Sequence, residues 1–251
     1  MFLFIGVLFK FLLNKMGKRT ILIISLILSG IALLYTVLAY FGLTRYLSLH
    51  IYSPKDYWKT YPLLEKAAPK NRVVITMYTT PKRLLQLKAV INSLLDQTVK
   101  VDEIALNLPQ NEKYEIPKEI ESVVRIYRCG RNYGDMTCLY PTLLREKDAD
   151  TKIIYLDDRT IYGKDFIETI VDASLSKEGN GKAIYTQSFE KNGNLVVKAR
   201  GGVLIEPRFV GTDIVNGCNE RTDRDLWVST CLKKAGTKFY RVSYGENYGD
   251  W

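Results

Sequence analysis

Two adjacent carboxylates, Asp157 and Asp158, end an apolar run in the stretch Lys152-Ile-Ile-Tyr-Leu-Asp-Asp-Arg-Thr-Ile-Tyr-Gly163. Ile153 to Leu156 read as a buried strand, and the chain turns at Gly163 toward an amphipathic helix. In an open α/β sheet ligands bind beyond the carboxyl ends of the strands, so the pair stands where a ligand is expected. Hard carboxylate oxygens suit magnesium and manganese, and paired acids at a strand end can hold such a cation against a diphosphate. An Asp after a strand is equally ordinary turn and helix-capping chemistry, and the motif alone does not separate the two readings.

Other chemistries drop out by inventory. The only histidine is His50, ahead of the globular region, which removes Ser-His-Asp and Cys-His catalysis and histidine-bound zinc. Cys129, Cys138, Cys218 and Cys231 form no Cys-x-x-Cys pair, and buried free thiols are the expectation. There is no Gly-x-Gly-x-x-Gly after the first strand and no Gly-x-x-x-x-Gly-Lys-Ser/Thr. Carboxylates, with or without a metal, are left to run the chemistry.

The elements that position these acids follow an α/β order. Val73–Tyr78 is a strand, and Pro81 opens a helix with Leu84, Leu87, Ile91, Leu94 and Leu95 on one face. Further strands fall at Glu103–Asn107, Val123–Tyr127 and Ile153–Leu156, with a helix near Asp165–Leu175, so a largely parallel sheet is expected. Ala183–Thr186, Leu195–Lys198 and Val203–Ile205, separated by glycine and asparagine turns, predict a smaller mixed sheet. Thr222-Asp-Arg-Asp225 then resembles a capping box before a helix that stops at Gly236.

The amino-terminal part differs in kind. Thr20 to Thr44 contains no charged residue and as a helix exceeds the hydrocarbon core of a bilayer, which predicts an uncleaved membrane anchor over 20–43. Phe2–Asn14 is apolar but interrupted by Lys10, and suits the membrane interface; Met16 offers an alternative start. Four cations, Lys10, Lys15, Lys18 and Arg19, precede the span and lean its amino terminus toward the cytoplasm, with the remainder in a Golgi-like lumen if the source is eukaryotic. Residues 44–71, with Pro54, Pro62 and Pro69, read as a stem, and 72–251 as the globular domain. A formal net charge of +9 in 251 residues, with no Lys/Arg run interleaved with aromatics, fits anionic ligands or headgroups and no nucleic-acid groove.

Taken together, four segments resemble a glycosyltransferase of the GT-A fold, in the broad family 2-like group, over about Arg72–Tyr244. Val73-Val-Ile-Thr-Met-Tyr-Thr-Thr-Pro-Lys-Arg83 is similar to the family's first strand and nucleotide-contacting loop. Ile91-Asn-Ser-Leu-Leu-Asp-Gln97, with Val101-Asp-Glu-Ile-Ala-Leu-Asn-Leu-Pro109, looks like its first helix and second strand. Tyr155-Leu-Asp-Asp-Arg-Thr-Ile-Tyr162 occupies the place of the acidic metal motif, and Asp223-Arg-Asp-Leu-Trp-Val-Ser229 that of the late acidic segment. The resemblance implies donor contacts from Thr79, Thr80, Arg83, Asp157, Asp158 and Arg159, a divalent cation (Mn or Mg) on Asp157 and Asp158, and a catalytic base at Asp225 or Asp223. Asp225 also suits the capping partner of Thr222, and Asp223 a first-turn acid.

Two departures stand out. Related chains often carry three consecutive acids where this one has Asp157-Asp158-Arg159; Arg159 either pairs with a carboxylate or faces the diphosphate itself. Tyr133-Gly-Asp-Met-Thr-Cys-Leu139 stands where relatives tend to have Gly-Pro-x-Thr-Lys, so an expected basic residue is missing. The implied function is inverting transfer of a sugar from a nucleotide-sugar, UDP-linked by resemblance, to a glycan or glycolipid. The competing readings are a non-catalytic glycan-recognition subunit and a nucleotidyltransferase. Against the latter, Thr79-Thr-Pro-Lys-Arg83 lacks the glycines of a phosphate loop.

Overall fold

The computed structural model describes residues 17–40, 42–211, 214, 222–243 and 248–250; Phe2–Asn14, Met16 and Cys218 lie outside them. Two compact units divide the chain, Met1–Ser48 and Leu49–Trp251. The first contains α1 (Lys18–Tyr40), 23 residues with none buried, long and apolar enough to cross a membrane. At 1.5 Å per residue it extends about 35 Å. It stops short of the expected span end because Gly42 sits at φ 69°, the left-handed conformation that closes helices.

The second unit begins at Leu49 rather than at Arg72, because much of the expected stem is folded onto the domain. After α2 (Leu43–Ile51), α3 (Pro54–Trp58) starts with Ser53 and Asp56 in a reciprocal capping box. The Asn92 amide donates to the carbonyls of Leu49 and Tyr52 at 2.7 and 2.9 Å, and the buried Tyr61 hydroxyl accepts the Val101 N–H at 2.9 Å. A five-residue helix is too short to display a period, so only its caps betray it.

β1 (Val73–Tyr78) is buried along its whole length, as a central strand covered on both faces must be. It pairs in parallel with β2 (Glu103–Pro109) on one side and β4 (Lys152–Tyr155) on the other, and β3 (Arg125–Cys129) extends the sheet beyond β2. The expected helix from Pro81 is split: a 3₁₀ turn over Pro81–Arg83 precedes α4 (Leu87–Leu95). β3 starts two residues later than expected, since Val123 and Val124 are buried in the turn after α5 (Lys118–Glu121). α6 (Tyr140–Arg145) leads back to β4, and β5 (Thr160–Ile161) precedes α7 (Phe166–Leu175).

The later strands divide differently from the expectation of a separate mixed sheet. β6 (Lys182–Tyr185) and β9 (Val203–Ile205) join the main sheet, which runs β10-β6-β9-β4-β1-β2-β3 with β9 antiparallel to both neighbours and β10 at Lys238–Arg241. β7 (Ser188–Lys191) and β8 (Asn194–Val197) form a separate antiparallel hairpin, and β5 pairs antiparallel with β11 (Tyr248–Asp250). Burial explains the partition: β9 is wholly buried, whereas β7 is polar and partly exposed. The α/β architecture with a mostly parallel sheet thus holds, and the two small sheets beside it are antiparallel.

Alternation along the strands builds two cores. Ile75, Met77, Leu106, Ile154 and Leu204 face a layer with α4 and α7, while Ile153, Tyr155, Val203 and Ile205 face one with Leu139, Phe209, Val228 and Leu232. α8 (Arg224–Lys234) supplies the last two of these and thereby fixes its own first turn beside the sheet.

Candidate active site

The strand order creates the crevice. Leaving β1 the chain adds β2 and β3 on one side, then returns to place β4 on the other, so the connections after β1 and β4 part company there. Such a reversal is where open α/β sheets take their ligands. Thr79, Thr80 and Arg83 follow β1; Asp157, Asp158 and Arg159 follow β4.

A cleft of about 490 Å³ opens here, lined by Tyr78, Thr80, Gly134, Asp135, Arg159, Thr222, Asp223, Arg224 and Asp225. Of the residues expected at a site, Thr80, Arg159, Asp223 and Asp225 line it. Asp157 and Asp158 lie behind the lining, only 4% and 3% exposed, and Thr79 is fully buried. Arg83 is partly exposed and reaches Asp158, its Nε donating to Oδ2 at 2.8 Å.

Asp157 is gripped from several directions. Arg159 forks onto it, Nε to Oδ1 at 2.9 Å and Nη2 to Oδ2 at 2.8 Å, and the Arg159 backbone N–H donates to Oδ1 at 2.9 Å. Arg224 adds its charge at 3.8 Å from Oδ2. Burial alone would push the Asp157 carboxyl up, but the Arg159 hydrogen bond and the charges of Arg224 and Arg159 hold it below the usual carboxylate value. Its neighbour goes the other way: burial raises Asp158 above the usual value, against the lowering influence of Thr79 and Arg83.

Arg224 carries a role that no local sequence signal assigns. Its side chain is 11% exposed; Nε donates to Asp225 Oδ1 at 2.9 Å, and Nη1 lies 3.9 Å from Cys138 Sγ. Cys138 lies in the stretch 133–139 that lacks the basic residue the resemblance implies, and the nearby cation is Arg224. Burial pushes the Cys138 thiol up to about 12, which keeps it neutral beside that guanidinium. Cys129 and Cys138 are free and buried, and Cys231 is buried as well. The only advance sign of Arg224 is its place between two acids in Thr222-Asp-Arg-Asp225.

The two late acids separate in function. Asp223 is the N-cap of α8, its Oδ1 accepting the Leu226 N–H at 3.1 Å. Asp225 lies in the first turn that Asp223 caps, and its Oδ1 accepts the Ala199 N–H at 3.2 Å as well as Arg224 Nε. Its Oδ2 has no hydrogen-bond partner among the described residues.

A divalent cation does not fit this donor set as arranged. Both strand-end carboxylates are ion-paired to arginines, and among the described residues no cluster of three or more acids, histidines or cysteines is placed to hold a metal.

No protein-family model and no curated protein matches the sequence. The likeness is in three dimensions: the fold is that of the GT-A glycosyltransferases. The mannosyltransferase PcManGT from Pyrobaculum calidifontis, solved with GDP-Man and Mn2+, superposes with a TM-score of 0.53 at 10% identity, over 84% of this chain and 65% of that one. GalNAc-T7, solved with UDP, GalNAc and Mn2+, gives a TM-score of 0.52 at 12% identity, over 68% of this chain and 41% of that one. This chain therefore spans less than two thirds of the length of either.

Proposed function

We propose that the protein is a membrane-anchored glycosyltransferase that moves one sugar, with inversion, from a nucleotide-sugar, UDP-linked by resemblance, to a hydroxyl of a glycan or glycolipid. The observation that carries this reading is the switch-point cleft of a GT-A fold, lined by Arg159 and by the Asp225 carboxylate. Asp225 takes the proton of the acceptor hydroxyl, whose oxygen attacks the anomeric carbon. The bond to the diphosphate breaks with its electron pair leaving on the nucleoside diphosphate, and the guanidinium charge of Arg83 and Arg159 stabilises that growing negative charge. Thr80, just after β1, borders the donor, while the fully buried Thr79 lies behind the cleft lining. No covalent intermediate is needed.

A panel of nucleotide-sugars tested by thermal shift probes the reading. A ligand at a hundred times its Kd adds about 2.7 kcal/mol to the native state. For a domain of this size that corresponds to roughly 5–10 °C in Tm. A UDP-sugar is expected to produce such a shift; a flat response across the panel would defeat the proposal. The paired arginines also support a non-catalytic recognition module, which would bind a donor and never release free UDP in the presence of acceptors.

The anchoring part of the proposal rests on α1. Sodium carbonate extraction of the full chain should leave it in the membrane pellet, because no ionic contact holds an apolar 23-residue helix there. Recovery in the soluble fraction would overturn it.

A further inference from the structure

We infer that Arg83 and Arg159 hold the donor's diphosphate directly, and that this chain binds a nucleoside diphosphate without a divalent cation. The inference rests on the reading of the cleft as a nucleotide-sugar site.

A hard cation needs several carboxylate oxygens with lone pairs turned toward one point. Here both oxygens of Asp157 accept from Arg159, and Asp158 Oδ2 accepts from Arg83. Two guanidinium charges within hydrogen-bond distance of the would-be ligands repel a third, divalent charge. The arrangement inverts the usual division of labour: the acids position cations instead of binding one.

The arginines keep capacity to spare. A guanidinium has five N–H donors in a planar fork suited to phosphate. Arg159 commits Nε and Nη2 to Asp157, and Arg83 commits Nε to Asp158, which leaves Arg159 Nη1 and both Nη groups of Arg83 without a hydrogen-bond partner among the described residues. The Arg159 side chain is 52% exposed and lines the cleft, so its outward edge is accessible. Because the carboxylates already hold both side chains in place, little further rotamer freedom is lost when an anion arrives. Asp135, Asp223 and Asp225 line the same cleft and disfavour a diphosphate beside them, which leaves the Arg159 side for it.

Isothermal titration of the full chain with UDP and with GDP, in EDTA and in excess MnCl2, tests the inference. The expected result is one affinity in both buffers. Arg159→Gln should then bind about tenfold to a hundredfold more weakly in both, the worth of a charge-assisted hydrogen bond. Arg159→Asp should be as weak in EDTA but recover with manganese, since it restores a third acid. A wild type that binds only with manganese overturns the inference and leaves the glycosyltransferase reading standing. Unchanged binding by both variants removes Arg159 from the role and overturns it as well. Absence of binding by either nucleotide in either buffer defeats the inference and the reading beneath it together.

Discussion

Asp225→Asn is expected to lower sugar transfer by about a hundredfold to ten-thousandfold, the usual worth of a general base. The same variant should keep its fold and its donor affinity, with a Tm lowered by the loss of the charge that pairs with the buried Arg224. The asparagine side-chain oxygen can still accept from the Ala199 N–H and from Arg224 Nε, the two contacts that Asp225 Oδ1 makes in the fold. What the amide cannot do is accept a proton, so chemistry is lost while structure is kept. Asp223→Asn supplies the control. Asp223 caps α8, asparagine caps about as well, and this variant should therefore stay active. Reversal of the two outcomes would move the base to Asp223; near-normal turnover by both would remove either acid from catalysis and favour the recognition-module reading.

Arg224→Met should destabilise the domain by about 3–5 kcal/mol, the cost of removing one partner from a buried charge cluster. The contacts at risk are Asp225 at 2.9 Å, Asp157 at 3.8 Å and the Cys138 sulfur at 3.9 Å, all around a guanidinium with little solvent. Methionine fills much of the same volume, so the loss is electrostatic rather than a cavity. Arg159 still pairs with Asp157, and the Ala199 N–H still reaches Asp225, which places the loss toward the lower end of that range. In thermal unfolding the expected fall in Tm is on the order of 10 °C for a chain of this size. The pH dependence has a definite sign. Burial works against ionisation of Asp157, but Arg159 and Arg224 overcome it and depress its pKa. The stability this confers is present above the ordinary carboxylate value and disappears as pH falls through the depressed one, so the gap between variant and wild type should narrow in acid. An unchanged Tm at neutral pH would mean that Arg224 does not organise the site.

Several features were legible because they are local. An apolar run ending in Asp157-Asp158 marks a strand delivering charge to its carboxyl end, and the alternation of strand and helix periods along 73–175 implies a parallel sheet. The 25-residue interval Thr20–Thr44 without charge announces a helix that water does not solvate well. The inventory alone removes histidine chemistry from the cleft. These readings need only composition, spacing and the geometry of one element at a time.

The tertiary structure decided whatever depends on which elements become neighbours. Only the order β9-β4-β1-β2 brings the loop after β1 beside the loop after β4, so that Arg83 meets Asp158. Only the docking of α8 through Val228 and Leu232 carries Arg224 to Asp157 and Cys138. The fate of Asp-Asp-Arg was likewise undecided in sequence, since turn, metal ligand and phosphate clamp use the same residue types. What the fold adds is the pairing: a carboxylate taken out of water must find compensating charge, and Arg159 beside Asp157 and Arg83 beside Asp158 are what lie within reach.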